Sequence, residues 1–266
     1  MRTVPARYVL LEYRTLLQMN YPVAHRAPGS GPSIHTVIFL MALSGAYNIN
    51  DLRTLAQRRL PRVAWDYLER GAEDDVTMTA NRTAFEGIHF RPRTLVDVSG
   101  RSLQHELFGR RYAAPFGIAP TGAAGLYWFD ADVALARAAA AADARLAEQH
   151  GADGVVVSNH GGRQLDGAMA AIDALPEIVD AVSGKIAVLF DSGVRRGSDI
   201  VKAMALGADF VFCGRATLYG ASVGGEAGVS RALELLHSET DRVMALIGCN
   251  SVDALDRNFL KMPDSA

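Results

Sequence analysis

Val155–Gly167 reads VVVSNHGGRQLDG, a run of valines followed by a glycine-rich polar turn that carries a histidine and an arginine three positions apart. Uninterrupted β-branched residues suit a strand covered on both faces. Beyond the turn, Ala168–Ser183 has helical spacing, so the stretch predicts a strand, a polar turn and a helix. The pattern repeats. Ala114–Gly122 (APFGIAPTG), Ile186–Val194 (IAVLFDSGV) and Asp209–Arg215 (DFVFCGR) are also short apolar runs ending in glycine-bearing turns. Helix-like segments follow them at Asp130–His150, Ser198–Leu206 and Ser222–Leu236. Such alternation predicts parallel βα units, in which ligand chemistry gathers at the carboxyl ends of the strands. All the polar turns sit at that end.

Composition narrows the function classes. With 266 residues, 49% hydrophobic and 21% charged, the chain is long enough for one large domain or two small ones with a real core. A formal net charge of −2 offers no basic surface for nucleic acid, so a small-molecule ligand is expected. Cys213 and Cys249 have neither metal-ligand spacing nor the density of a disulfide scaffold. They read as buried free thiols in a reducing cytoplasm, and no metal site is expected.

The first 46 residues differ from the rest. Ala24–Ser33 (AHRAPGSGPS) is a Pro/Gly/Ser linker, and the apolar run in His35–Ala46 falls far short of the ~20 residues of a membrane helix. It also starts too far along the chain for a secretory signal. Residues 1–46 therefore read as an appendage and linker, with the working protein starting near Met41 and the domain spanning 47–266. From Ile49 the pattern is helical, with Asn50 expected as an N-cap, Pro61 opening a second helix and Gly71 stopping it. These are expected to be capping helices.

The last two turns share a design. DSGVRRGSD (Asp191–Asp199) offers two glycines, two arginines and a helix start at Ser198, and CGRATLYG (Cys213–Gly220) repeats glycine and arginine ahead of a helix. Backbone N–H groups and guanidinium together suit a phosphate, and a successive pair is how barrels build a phosphate site after their last two strands. For either turn alone, an ordinary turn with a solvated arginine is the competing reading.

The segments SNHGGRQLDG, DSGVRRGSDIVKAMALGAD, GRATLYG and WDYLERGAEDD resemble the FMN-dependent 2-hydroxy-acid dehydrogenase and oxidase family, which includes lactate, glycolate and mandelate enzymes. The resemblance runs from Ile49 to about Leu255 and implies an α/β fold of the (β/α)8 TIM-barrel family with bound FMN. It implies that His160 is the base that takes a proton from the substrate, and that Arg163 and Tyr67 bind the substrate carboxylate. It places Pro120, Thr121, Gly122 and Ser158 against the flavin, and Asp191, Ser192, Gly193, Val194, Arg195, Gly214 and Arg215 around the ribityl chain and phosphate. His25, His35, His89, His105, His150 and His237 lack comparable context and read as surface or satisfied structural residues.

The chain departs from that family in length. A barrel of this kind takes ~250 residues, whereas Ala113–Gly248 spans only about 135, with four strand signals instead of eight. The expected fold is thus a barrel truncated to about four βα units behind N-terminal capping helices. The seam falls near 142/143: Leu135–Ala142 looks like the helix after the first strand, and Asp143–Gly154 like the one leading into the sixth. The resemblance assigns to the missing strands a flavin-contacting glutamine and threonine, a second substrate tyrosine, a second substrate arginine, a lysine beside the flavin and the aspartate that pairs with the base. Nothing elsewhere in the sequence replaces them.

Two functions of different class follow. One is FMN-dependent oxidation of an L-2-hydroxy acid of the lactate or mandelate class to the 2-oxo acid, with an electron acceptor the sequence does not name. The other is a non-catalytic deletion remnant that binds FMN or phosphate weakly. Open sheet edges leave room for pairing with a second copy as a homo-oligomer. The expected location is cytoplasmic or peripheral to the inner membrane.

Overall fold

A computed structural model describes residues 43–119, 121 and 152–262. The expected helix Asp130–His150, the seam near 142/143, Pro120, Gly122, His25, His35, His150 and the N-terminal linker lie outside the described residues.

Three helices open the described chain: α1 (Ile49–Arg59), α2 (Arg62–Glu69) and α3 (Val76–Gly87). The N-cap of α1 is Asn48, not Asn50, and its Oδ1 accepts the Asp51 N–H at 3.1 Å. The shift has a local cause: Asp51 also accepts the Tyr47 N–H at 2.8 Å, closing the turn one step earlier and leaving Asn50 inside the helix. Pro61 precedes α2 as expected, where its missing N–H costs nothing. Gly71 follows the end of α2, and a Cβ there would lie 2.6 Å from the Gly162 carbonyl oxygen. The stop is therefore also the point where the helical cap docks on the histidine-bearing turn.

Eight short strands are described. β1 (His89–Phe90) pairs antiparallel with β8 (Leu260–Lys261), and β2 (His105–Leu107) with β3 (Arg110–Tyr112). The remaining four, β4 (Phe116–Ile118), β5 (Gly154–Val157), β6 (Ala187–Phe190) and β7 (Phe210–Cys213), are the apolar runs read from the sequence. They form one parallel sheet in the order β4-β7-β6-β5. The earliest strand thus lies beside the latest, as it does when a barrel closes on itself.

The helices that follow are α4 (Ala171–Val182), α5 (Gly197–Ala205) and α6 (Arg215–Ile247). α4 packs on β5 and β6, and α5 on β7. In β5 and β6, Val155, Val157, Val188 and Phe190 are buried while the alternate residues are only half-buried. The two faces of β5 and β6 are thus covered to different degrees, whereas in β7 the successive residues Phe210 and Val211 are both buried. α6 begins at Arg215 rather than near Ser222 and is two helical pieces broken at Gly224 and Gly225 (φ −145° and +50°). The chain folds so tightly there that a Cβ on Gly220 or Gly228 would strike the backbone of the other.

The core reaches back to Leu43 and Ala46, which are 5% and 0% exposed. Phe39–Ala266 groups as one compact unit. Both cysteines are buried and free. Among the described residues no helix is long and apolar enough to cross a membrane, and no cluster of side chains is suited to hold a metal.

Candidate active site

The polar turn after β5 is held in an unusual backbone form. His160, Gly161 and Gly162 follow one another at φ of +57°, +66° and +77°. For a histidine that conformation costs roughly 1 kcal/mol, so it persists only where the surroundings fix it. Ser158 Oγ accepts the His160 N–H at 3.0 Å, and Ser192 Oγ accepts the Gly161 N–H at 3.1 Å and the Asn159 N–H at 3.3 Å. Both hydroxyls donate to the same atom, Asp191 Oδ1, at 2.5 and 2.8 Å. Asn159 and Asn81 of α3 exchange side-chain amide bonds at 2.7 and 2.8 Å. The turn is fixed from below by the β6 turn and from the side by α3.

The helical cap is tied to the same place. Arg215 Nε, Nη1 and Nη2 donate to the carbonyls of Leu68, Gly161 and Arg70 at 3.0, 3.0 and 3.1 Å. Arg163 Nη2 donates to Tyr67 O and Leu68 O at 2.7 and 2.6 Å, with its guanidinium 5.3 Å from the Tyr67 ring centre. A helix ends with carbonyls that lack intrahelical partners, and two arginines from the barrel side supply them for α2. Tyr219 adds a third tie, its hydroxyl donating to Glu69 Oε2 at 2.8 Å.

These groups surround a cleft of about 200 Å³. Tyr67, Thr121, His160, Arg163, Asp191, Ser192, Gly193, Val194, Arg195, Gly214 and Arg215, each singled out in the sequence, line it. Ser158 does not line it; it is buried and props Asp191 and His160. Ala119, Phe212 and Leu218 also line the cleft without any sequence signal beyond ordinary apolar strand and helix residues. Asn81 and the α2 carbonyls were missed because their roles depend on contacts between distant segments.

The two arginine turns differ. The amides that lead into α5, expected to be free for a phosphate, are occupied. Asp199 Oδ2 accepts the Arg195 and Arg196 N–H groups at 2.9 and 3.0 Å, and Glu239 Oε2 accepts that of Gly197 at 2.8 Å. The helix begins at Gly197, not Ser198, and this carboxylate pair caps it. α6 has no side-chain cap, and its N-cap Gly214 and first residue Arg215 line the cleft. Arg195 contacts Val194 O at 2.8 Å and lies 5.6 Å from the Tyr219 ring centre.

Electrostatics in the cleft are one-sided. Burial, reinforced by the Arg195 and Arg163 charges, pushes the Arg215 pKa down to about 10, so it stays charged at neutral pH. Burial and the Arg163 charge hold His160 below the ordinary histidine value; Asp191 opposes them and Arg215 adds to them. The His160 ring makes no hydrogen bond among the described residues. Burial raises Asp191, against the two serine hydroxyls and His160, which lower it. Two guanidiniums with no carboxylate partner among the described ion pairs, Arg195 and Arg215, beside an uncapped helix start, fit the phosphate of FMN.

A family model described as FMN-dependent dehydrogenase matches residues 56–143 and 140–262, two segments that meet where the sequence placed the seam. The (S)-mandelate dehydrogenase of Pseudomonas putida is 30% identical over 370 aligned positions, covering 81% of this chain and 94% of that protein. That alignment is longer than this chain's 266 residues, so the relative carries sequence with no counterpart here. An L-lactate oxidase of Nostoc sp. is 57% identical over 120 residues, covering 45% of this chain and 33% of that protein; the chain spans a third of it. Among solved structures, a soluble mutant of the membrane-associated (S)-mandelate dehydrogenase from Pseudomonas putida superimposes with a TM-score of 0.77 at 30% identity, covering 82% of this chain and 100% of that one. The fold is therefore that of the TIM-barrel family, shortened to about four βα units behind capping helices. FMN is the cofactor of the matched family. From the strand order, the cleft and these matches together, the chain belongs to the FMN-dependent dehydrogenase family.

Proposed function

We propose that the chain oxidises a small L-2-hydroxy acid, of the lactate or mandelate class, to the 2-oxo acid with FMN. The observation that carries this reading is that His160, Arg163 and Tyr67 meet in one cleft with Arg195, Arg215 and the start of α6. Burial and the Arg163 charge favour an unprotonated imidazole at neutral pH, the form that accepts the substrate hydroxyl proton. Arg163 and Tyr67 hold the carboxylate, which requires the guanidinium to turn from the Tyr67 and Leu68 carbonyls. Arg195, Arg215, Gly193, Val194 and Gly214 hold the phosphate, Asp191 and Ser192 the ribityl hydroxyls, and Pro120, Thr121 and Gly122 the flavin side. When bound, FMN supplies the two-electron acceptor.

A second reading, a remnant that binds FMN or phosphate without turnover, is favoured by the engagement of Arg163 and Arg215 with carbonyls of the cap. In either reading the buried free thiols support a reducing compartment. The sheet edge at β5, whose one neighbour among the described residues is β6, supports pairing with a second copy.

Anaerobic mixing of the FMN-loaded protein with L-lactate or L-mandelate decides between the readings. Bleaching of the flavin that falls at least ~10²-fold in His160→Gln supports oxidation; no bleaching supports the remnant. Binding through the phosphate requires FMN to exceed riboflavin in affinity at least tenfold, about 1.4 kcal/mol. Equal affinities remove the phosphate assignment.

A further inference from the structure

We propose that Asp191 is the positioning residue of His160, holding the turn that carries it through two serine hydroxyls and supplying the negative charge that its protonated ring needs. The inference rests on the reading of His160 as the proton acceptor, and it revises the expectation that nothing in this chain replaces the lost aspartate partner of the base.

The geometry has two layers. Asp191 Oδ1 accepts the hydroxyl hydrogens of both Ser158 and Ser192. With their donors committed there, the two oxygens turn their lone pairs to the loop and accept three successive amides, Asn159, His160 and Gly161. One carboxylate oxygen thus orients the acceptors that keep His160 left-handed. Asp191 Oδ2 makes no hydrogen bond among the described residues, and Asp191 and His160 line the same cleft.

Charge points the same way. When the imidazole takes a proton it becomes a cation facing Arg163 of its own turn and Arg215 of α6, with the Tyr67 side chain of α2 also on the cleft. Those guanidiniums disfavour that cation. Asp191, from the turn after β6, is the carboxylate that acts on the ring in the opposite sense, and His160 in turn favours the ionised form of Asp191. A base flanked by two cations needs such a counter-charge if proton transfer is to reach it.

The test is a titration of the full chain without flavin, followed by NMR of labelled histidine rings and aspartate carboxyls, with His160→Gln identifying the His160 signal. In the unsubstituted protein, the Asp191 carboxyl carbon should show an inflection at the His160 midpoint that disappears in His160→Gln. In Asp191→Asn the His160 midpoint should fall by about 1 unit, and Asp191→Glu should recover part of that shift. A purely structural Asp191 lowers the melting temperature of Asp191→Asn but leaves the His160 midpoint where it was, and that result overturns the proposal. Should Asp191→Asn fail to fold by circular dichroism, the shared inflection decides alone, and its absence overturns the proposal. Because neither readout uses flavin or substrate, the proposal can fail while hydroxy-acid oxidation stands, and the reverse.

Discussion

Arg163 Nη2 and Arg215 Nε donate to one acceptor, the carbonyl oxygen of Leu68, at 2.6 and 3.0 Å. The two arginines come from different βα units, and the carbonyl belongs to the cap. α2 has no basic residue in its own last turn, so the barrel side supplies the positive charge its carboxyl end lacks. Residues expected to hold substrate and phosphate therefore also bind the cap to the sheet.

Arg215→Met should lower stability by about 3 kcal/mol, because it leaves Leu68, Arg70 and Gly161 carbonyls without their donor in a buried place. Urea unfolding should show a lower midpoint at an unchanged slope. Arg163→Lys, half-exposed and retaining charge, should cost less than about 1 kcal/mol. Equal losses in the two variants would contradict the unequal burial of these side chains.

His160 links stability to pH. Its folded pKa lies below the ordinary value, so the unfolded chain binds the proton more readily. The contribution is complete above the ordinary histidine pKa and is lost as pH falls through the lower folded value. Melting temperatures of the wild-type protein and His160→Gln should therefore converge on acidification and separate, in favour of wild type, toward neutral pH. A constant difference across that window would mean the ring is not perturbed.

The N-terminal boundary can be tested by truncation. A chain starting at Met41 should melt as the full chain does, since it keeps every buried residue described, from Leu43 onward. Starting at Tyr47 removes the buried Leu43 and Ala46, along with the Arg231 Nη2 bond to Ala46 O at 2.8 Å. That should cost about 2–4 kcal/mol in urea unfolding; indistinguishable midpoints would place the core boundary after Ala46.

Thiol chemistry should be silent in the folded state. Burial pushes the Cys213 pKa up to about 12 and raises that of Cys249. The thiolate is the reactive form, so a chromogenic disulfide reagent at pH 8 should label neither residue until denaturant is added. Rapid labelling of Cys213 in native protein would show that β7 is not packed as described.

The strands of the four-stranded sheet were legible because each is a short apolar run closed by a glycine turn, a local pattern that survives without knowledge of neighbours. His160, Arg163, Arg195 and Arg215 stood out for the same reason, since glycine, arginine and histidine cluster at strand ends. Asn48 displaced Asn50 as the cap because the Asp51 and Tyr47 contact closes the turn earlier, a choice between two equally suitable residues. The hairpin β2–β3 and the pair β1–β8 escaped because two- and three-residue strands carry no measurable period.

By itself, then, the sequence determined the alternation of strand and helix, the polar turns at the strand ends, the missing middle of the barrel and the identity of the residues that gather in the cleft. Only the tertiary structure decided what those residues touch. It joined Asp191 to the histidine turn through Ser158 and Ser192, turned Arg163 and Arg215 onto the carbonyls of α2, and closed the start of α5 with Asp199 and Glu239. The physical reason is that periodicity and turn chemistry act over a few residues, whereas a guanidinium or a carboxylate takes whichever partners the packing of distant segments brings within about 3 Å.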